Sequence, residues 1–221
     1  MSISEISSKI SFILKDELSL DEDKREVVEY SLNVVMSITI GLFFVIIVSM
    51  FLGVLETTLT ITIAAGILRV FAGGAHCSTP FKCNFFGSIF FPSLGLLTYY
   101  VSQNVSNIYF MLFASFISLL ISLSSFMKYS PADTPAKPIS NKKKTGLRRI
   151  SVTIVILYFA LAVLLIFFKL DPEYILSIII GMTWQAFIIT PTGYRFLNKV
   201  DYGLTWLSLF YRKTKDKGGV F

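Results

Sequence analysis

Six long apolar runs constrain this chain more than any other feature: residues 32–52, 55–70, 85–101, 108–127, 150–170 and 174–190. A helix of about 20 apolar residues crosses the roughly 30 Å hydrocarbon core of a bilayer. Inside that core every backbone N–H and C=O must be paired within its own segment or a closed barrel. Runs of this length therefore predict an all-α, polytopic integral membrane bundle of about six transmembrane helices. Composition agrees, because 15% of the residues are charged and 54% are hydrophobic, whereas a soluble domain carries about 25% charge. The second run is short and rich in threonine, and so is the least secure span. The third carries Gly87, Pro92 and Gly95, which invite a kink and close helix packing.

The cations divide unevenly between the two sides of such a bundle. With the N-terminus taken as cytoplasmic, 19 of the 20 Lys and Arg residues fall on one side and only Lys169 on the other. That asymmetry predicts a multi-pass protein of the cell membrane with both termini in the cytoplasm. An even number of spans is needed to keep it, which supports retaining the short second run. Three segments follow: a cytoplasmic amphipathic stretch 1–31, a six-span domain 32–190, and a basic cytoplasmic tail 191–221. The first is too polar and acidic for a cleavable signal peptide. Its Ile3, Ile6, Ile10, Ile13, Leu14 and Leu18 recur at helical spacing, which suits an interfacial helix or one packed on the protein's own cytoplasmic face. The tail interleaves aromatics with bases and is expected to lie along the inner interface. The net charge of +6 is read as a topology and headgroup signal rather than a nucleic-acid footprint.

Chemistry concentrates between the second and third spans. The segment 69–84 holds the only histidine, His76, and both cysteines, Cys77 and Cys83. A thiol attacks as its thiolate, which a neighbouring imidazole can generate and stabilise. The same ring can return a proton to a leaving amine near neutral pH. On a continuous helix Cys83 would share the face of His76 but lie about 10 Å along the axis. Pro80 breaks the run and lets a turn bring the two together. Cys77 is adjacent in sequence and normally projects elsewhere, so spacing favours Cys83 modestly. A structural disulfide is disfavoured on a reducing cytosolic face. Gly73 and Gly74 allow a close backbone approach or free amides for an oxyanion; a tight turn alone explains them equally well. Arg69 is an interfacial anchor or a binder of a substrate carboxylate. His76, Cys77 and Cys83 as three zinc ligands match no common zinc spacing, and no metal or other cofactor is expected.

At these residues the chain resembles the accessory gene regulator protein B family, membrane endopeptidases that mature quorum-sensing peptides. The resemblance rests on Arg69, on Ala72-Gly73-Gly74-Ala75-His76 and on Cys83 seven residues further. It extends to the proline-rich segment 128–139 ahead of a basic cluster and to the six-span layout. The family pattern implies Cys83 as nucleophile and His76 as its base, with Cys77 a spectator and Arg69, Gly73 and Gly74 supporting the site. It also implies an AgrD-like precursor peptide as partner. Cleavage of the precursor's C-terminal tail would be coupled to closure of a thiolactone or lactone ring, and the protein would act as a homodimer within membrane lipid. In the basic loop 128–149, Lys142, Lys143 and Lys144 would attract the acidic tail of the precursor, and Asp133 would be a candidate to orient His76. Two other classes compete: a peptide transporter in which the His–Cys loop is structural, and a metal-binding membrane protein. Charge-poor spans speak against a polar transport path. A requirement for Cys77 equal to that for Cys83 would favour metal.

Overall fold

The computed structural model describes residues 3–104, 107–132 and 141–217. Among them eight helices follow one another: α1 Ile3–Leu18, α2 Glu22–Phe51, α3 Leu55–Ala72, α4 Pro80–Asn104, α5 Ile108–Tyr129, α6 Asn141–Phe167, α7 Pro172–Ile188 and α8 Pro191–Lys217. The protein is an all-α, multi-pass membrane bundle. Five helices, α2 to α6, are long and apolar enough to span by themselves. The sixth candidate, α7, is joined to α8 through an 87° bend.

Several helices run past the apolar stretches that predicted them. α2 begins ten residues before its apolar run, α4 five and α6 nine. The added turns are polar and rich in Lys, Arg and Glu, which favour helix as well as leucine does. Hydropathy reads only the part of a helix dissolved in lipid, whereas the backbone continues into water. At 1.5 Å per residue the 30 residues of α2 reach about 45 Å, well beyond the hydrocarbon. Asp21 starts the helix by accepting the N–H of Lys24 at 2.8 Å, a normal N-cap. α1 lies along this protruding part, with Ser7 and Ser11 as its buried contact residues. Arg25, also buried there, pairs with Glu22 and Glu29 and stacks on Phe12.

α7 is the axis of the bundle. It packs against α3, α4, α5 and α6, and Ile175, Met182, Gln185, Ala186 and Ile188 on it are fully enclosed. Lipid tails are as apolar as leucine, so helices in a membrane are held by close contact rather than by expulsion from water. Small residues make that contact here. A Cβ placed on Gly181 of α7 would stand 2.7 Å from the Ile61 carbonyl oxygen and 2.8 Å from the Ala64 Cβ on α3. Gly95 of α4 is pressed as tightly onto Thr58. On α5 the buried Ser115, Ser118, Ser122 and Ser125 form one face, and Ser118 meets Thr183 of α7 at 2.6 Å. Leu68, Ala72, Phe126, Val155, Met182 and Ala186 fill the core at one end of the bundle. Apolar side chains such as Val35, Phe43, Phe113 and Leu157 face outward, as lipid contact requires.

Gly181→Ala is expected to lower stability by about 1–3 kcal/mol, because the added methyl must displace backbone of α3. Gly66→Ala, also within α3 but with open space around it, is expected to be neutral or stabilising by up to about 1 kcal/mol. Thermal unfolding of the two variants in detergent checks the contrast.

Candidate functional site

The residues singled out in segment 69–84 gather at one end of the bundle, where α3 stops and α4 starts. α3 closes when the Gly73 N–H donates to the Arg69 carbonyl at 2.9 Å. Gly73 and Gly74 then take φ values of +66° and +138°, a region that a side chain strongly disfavours. Neighbours exclude a side chain as well. A Cβ on Gly73 would lie 2.9 Å from the Ala132 carbonyl oxygen, and one on Gly74 2.8 Å from Ile188. The glycine pair is therefore a turn that must pass through a narrow gap. The Gly73 amide is committed to ending the helix.

A helix end buried in a bundle leaves carbonyl groups to be satisfied. Here distant segments supply the donors. Ala132 donates its N–H to the Ala72 carbonyl at 2.8 Å, which ties the α5–α6 connection to the end of α3. Gln185, enclosed on α7, donates from Nε2 to the Gly73 carbonyl at 2.7 Å. Two residues further along the loop, the Ala75 carbonyl accepts from Arg69 Nη2 at 2.6 Å. The same guanidinium nitrogen lies 3.0 Å from Nδ1 and 3.2 Å from Nε2 of His76. Arg69 is thus an internal brace between the loop backbone and the imidazole.

Pro80 opens α4 at its first position, where a missing N–H costs nothing. Cys83 follows within the first helical turn, ahead of the apolar run that begins at Phe85. The loop returns His76 and Cys77 to this helix start. The Cys83 thiol is held well below the ordinary thiol range, first by the neighbouring Cys77 and then by the His76 imidazole and the Arg69 charge, with burial acting in the opposite direction. Polar neighbours and a cation close to one sulfur favour its thiolate. The Cys77 thiol is pushed well above that range, first by its closeness to Cys83 and then by burial. His76 itself is exposed and both sulfurs are half-buried.

Not every sequence-level candidate joins this cluster. Arg69, Gly73, Gly74, His76 and Cys83 come together. Lys142, Lys143 and Lys144 stand on the first turn of α6 at the same end of the bundle, with Lys142 and Lys143 exposed. Arg148, one turn further, donates from Nε to the Ser130 carbonyl at 2.7 Å. Asp133 lies outside the described residues. Among those described, no three His, Cys, Asp or Glu side chains are grouped to hold a metal ion. Gln185 was not singled out from the sequence, and Cys77 was weighed there only as a rival to Cys83, a metal ligand or a spectator. Gln185 had a signal, as an amide within an apolar run.

The match to known proteins covers most of the chain. Residues 7–189 match the family model described as accessory gene regulator B. A protein described as AgrB-like from Clostridium perfringens strain SM101 is 27% identical over 206 residues, covering 90% of this chain and 96% of that protein. The accessory gene regulator protein B of Staphylococcus intermedius is 27% identical over 143 residues, 65% of this chain and 70% of its own. An AgrB-like protein of Listeria welshimeri is 24% identical, covering 85% and 87%. No solved structure matches the chain.

Two outcomes follow from the geometry. Replacing Gln185 by Leu orphans the Gly73 carbonyl and should cost about 1–3 kcal/mol of stability, read by thermal unfolding. A thiol with a raised pKa stays protonated as the pH passes through the usual thiol range. Iodoacetamide at about pH 8 should therefore alkylate Cys83 about tenfold or more faster than Cys77. Tryptic cleavage after Lys82 places the two cysteines on separate peptides, so mass spectrometry reads each rate.

Proposed function

Since the chain belongs to the accessory gene regulator B family, we propose that it is a membrane-embedded cysteine endopeptidase that matures a quorum-sensing peptide. The observation that carries this reading is His76 and Cys83 gathered at the end of a membrane bundle, with Arg69 bracing the imidazole and the Cys83 thiol held below the ordinary thiol range. The substrate is an AgrD-like precursor peptide. Cys83 attacks a precursor carbonyl, and the developing oxyanion collapses to a thioester on its sulfur as the C–N bond breaks. His76 delivers the proton to the departing amine, and the C-terminal fragment leaves. A cysteine or serine within the retained N-terminal part then gives its proton to His76, attacks the thioester carbonyl, expels Cys83 as the thiolate and closes a thiolactone or lactone ring.

Ring closure competes with hydrolysis of the thioester, so the outcome depends on limiting water and on orienting the internal nucleophile. A site between helix ends, at the edge of the hydrocarbon, supports both. The basic residues of α6, Lys142, Lys143, Lys144, Arg148 and Arg149, offer an acidic precursor tail a counter-charge beside the site. The one-sided distribution of Lys and Arg supports a cytoplasmic site, with both termini on that side of the cell membrane. A homodimer completes this reading.

Co-expression of the chain with its precursor peptide tests the proposal. Cys83→Ser and His76→Ala are expected to abolish release of the C-terminal fragment. Cys77→Ser, which keeps a hydroxyl donor in the same place, should retain cleavage. Continued cleavage by Cys83→Ser would sink the dyad, and equal loss in Cys77→Ser and Cys83→Ser would point to a metal site instead.

A further inference from the structure

The first half of the catalytic loop is held by Arg69, Gln185 and the Ile188 carbonyl, which accepts the Ala75 N–H. Its second half is held by α8, through Asp201. One oxygen of that carboxylate, Oδ1, accepts both the backbone N–H and the hydroxyl of Ser78, each at 2.9 Å. The other, Oδ2, accepts from Lys82 Nζ at 3.3 Å. Lys82 also donates to the Ser78 hydroxyl at 2.8 Å and to Thr205 on the next turn of α8 at 2.7 Å. Both members of the ion pair are four-fifths enclosed, at 19% and 20% side-chain exposure. A pair in that setting keeps its geometry better than one in open water.

The order of these contacts along the chain matters. Ser78 directly follows Cys77, and Lys82 directly precedes Cys83. A single carboxylate therefore grips the residue after one sulfur and the residue before the other. It closes the six-residue interval between the two cysteines from outside. The approach of Cys77 and His76 to the Cys83 sulfur depends on that interval, since polar contacts weaken steeply with misalignment. α8 reaches this position because the 87° bend after α7 turns it across the end of the bundle. Asp201 lies beyond residues 7–189, the part that matches the family.

We propose that Asp201 is a positioning residue that holds His76 and Cys77 in register with Cys83, so that α8 belongs to the working part of the site. The reaction it serves is the one proposed above, and only the naming of that reaction rests on that reading. The role of Asp201 in ordering the thiol stands separately. It predicts that loosening the latch weakens the approach of Cys77 and His76 to Cys83 while leaving the bundle assembled.

The test uses the full chain in vesicles of phosphatidylethanolamine and phosphatidylglycerol, with iodoacetamide as probe. The rate of Cys83 alkylation is followed against pH by mass spectrometry of the tryptic peptides. In Asp201→Ala the midpoint of that profile should rise by about one pH unit or more, toward that of an ordinary thiol. Asp201→Asn keeps an acceptor for Ser78 but loses the charge facing Lys82, and should fall between the two. Lys199→Ala, on an exposed part of the same helix, should superimpose on the parent. With precursor peptide supplied, Asp201→Ala should lower kcat about tenfold or more with KM little changed, the pattern of misplaced reacting groups. A purely structural role would lower the unfolding temperature and leave the pH profile in place. Profiles of Asp201→Ala and Asp201→Asn that coincide with the parent overturn the inference, whatever cleavage does. Cleavage that persists in Cys83→Ser overturns the peptidase reading and leaves the latch to be judged on its own profile.

Discussion

A helix in hydrocarbon satisfies its own backbone except at its ends, and the ends that do not reach water must find partners elsewhere in the protein. This requirement organises the bundle at the point where α3 stops. Ala72 and Gly73 each present a carbonyl there, and the partners come from the segment after α5 and from α7. α7 can supply one because it runs through the middle of the bundle, pressed onto α3 at Gly181. The loop carrying His76 and Cys77 is thus fastened by the same contacts that close a buried helix end. Its two glycines are there because the chain must turn through a space with no room for a Cβ.

The cluster that results differs in character from the bare His–Cys pair suggested by residue types. The two thiols are driven in opposite directions by their closeness, Cys83 down and Cys77 up. The guanidinium of Arg69 spans from a loop carbonyl to the imidazole, which fixes the ring from the side of the bundle. The chain belongs to the accessory gene regulator B family, and the acyl transfer proposed for it requires reacting groups aligned in this way.

Much of the fold was legible because lipid imposes a simple code. Apolar runs of about 20 residues name the spans, and five helices, together with α7, stand where those runs lie. The boundaries were less legible, since polar turns such as 22–31 and 141–149 continue a helix into water without an apolar signature. α1 carried an apolar stripe in its sequence, yet Ser7 and Ser11 are the residues it buries against α2. Small side chains permit the close approach that membrane helices use, and a stripe of isoleucines does not reveal it. Within the site, Pro80 and the spacing of His76 and Cys83 were readable as a turn that could join them. Gln185 and Asp201 were not readable as partners of that turn, because they lie more than a hundred residues away along the chain.

By itself the sequence determined the class of solvent, the number and placement of apolar helices, and the segment in which the reactive groups lie. These are local properties, since hydropathy, charge and residue chemistry are carried by each stretch of chain whatever its neighbours do. Tertiary structure alone decided how the groups in that segment are arranged. It gathered His76, Cys77 and Cys83 at one helix start, and turned Arg69 inward as a brace. It also brought α8 back across the bundle end so that Asp201 meets Ser78 and Lys82. Hydrogen bonds require partners within about 3 Å and in line, and which distant residues meet that condition depends on how the helices pack.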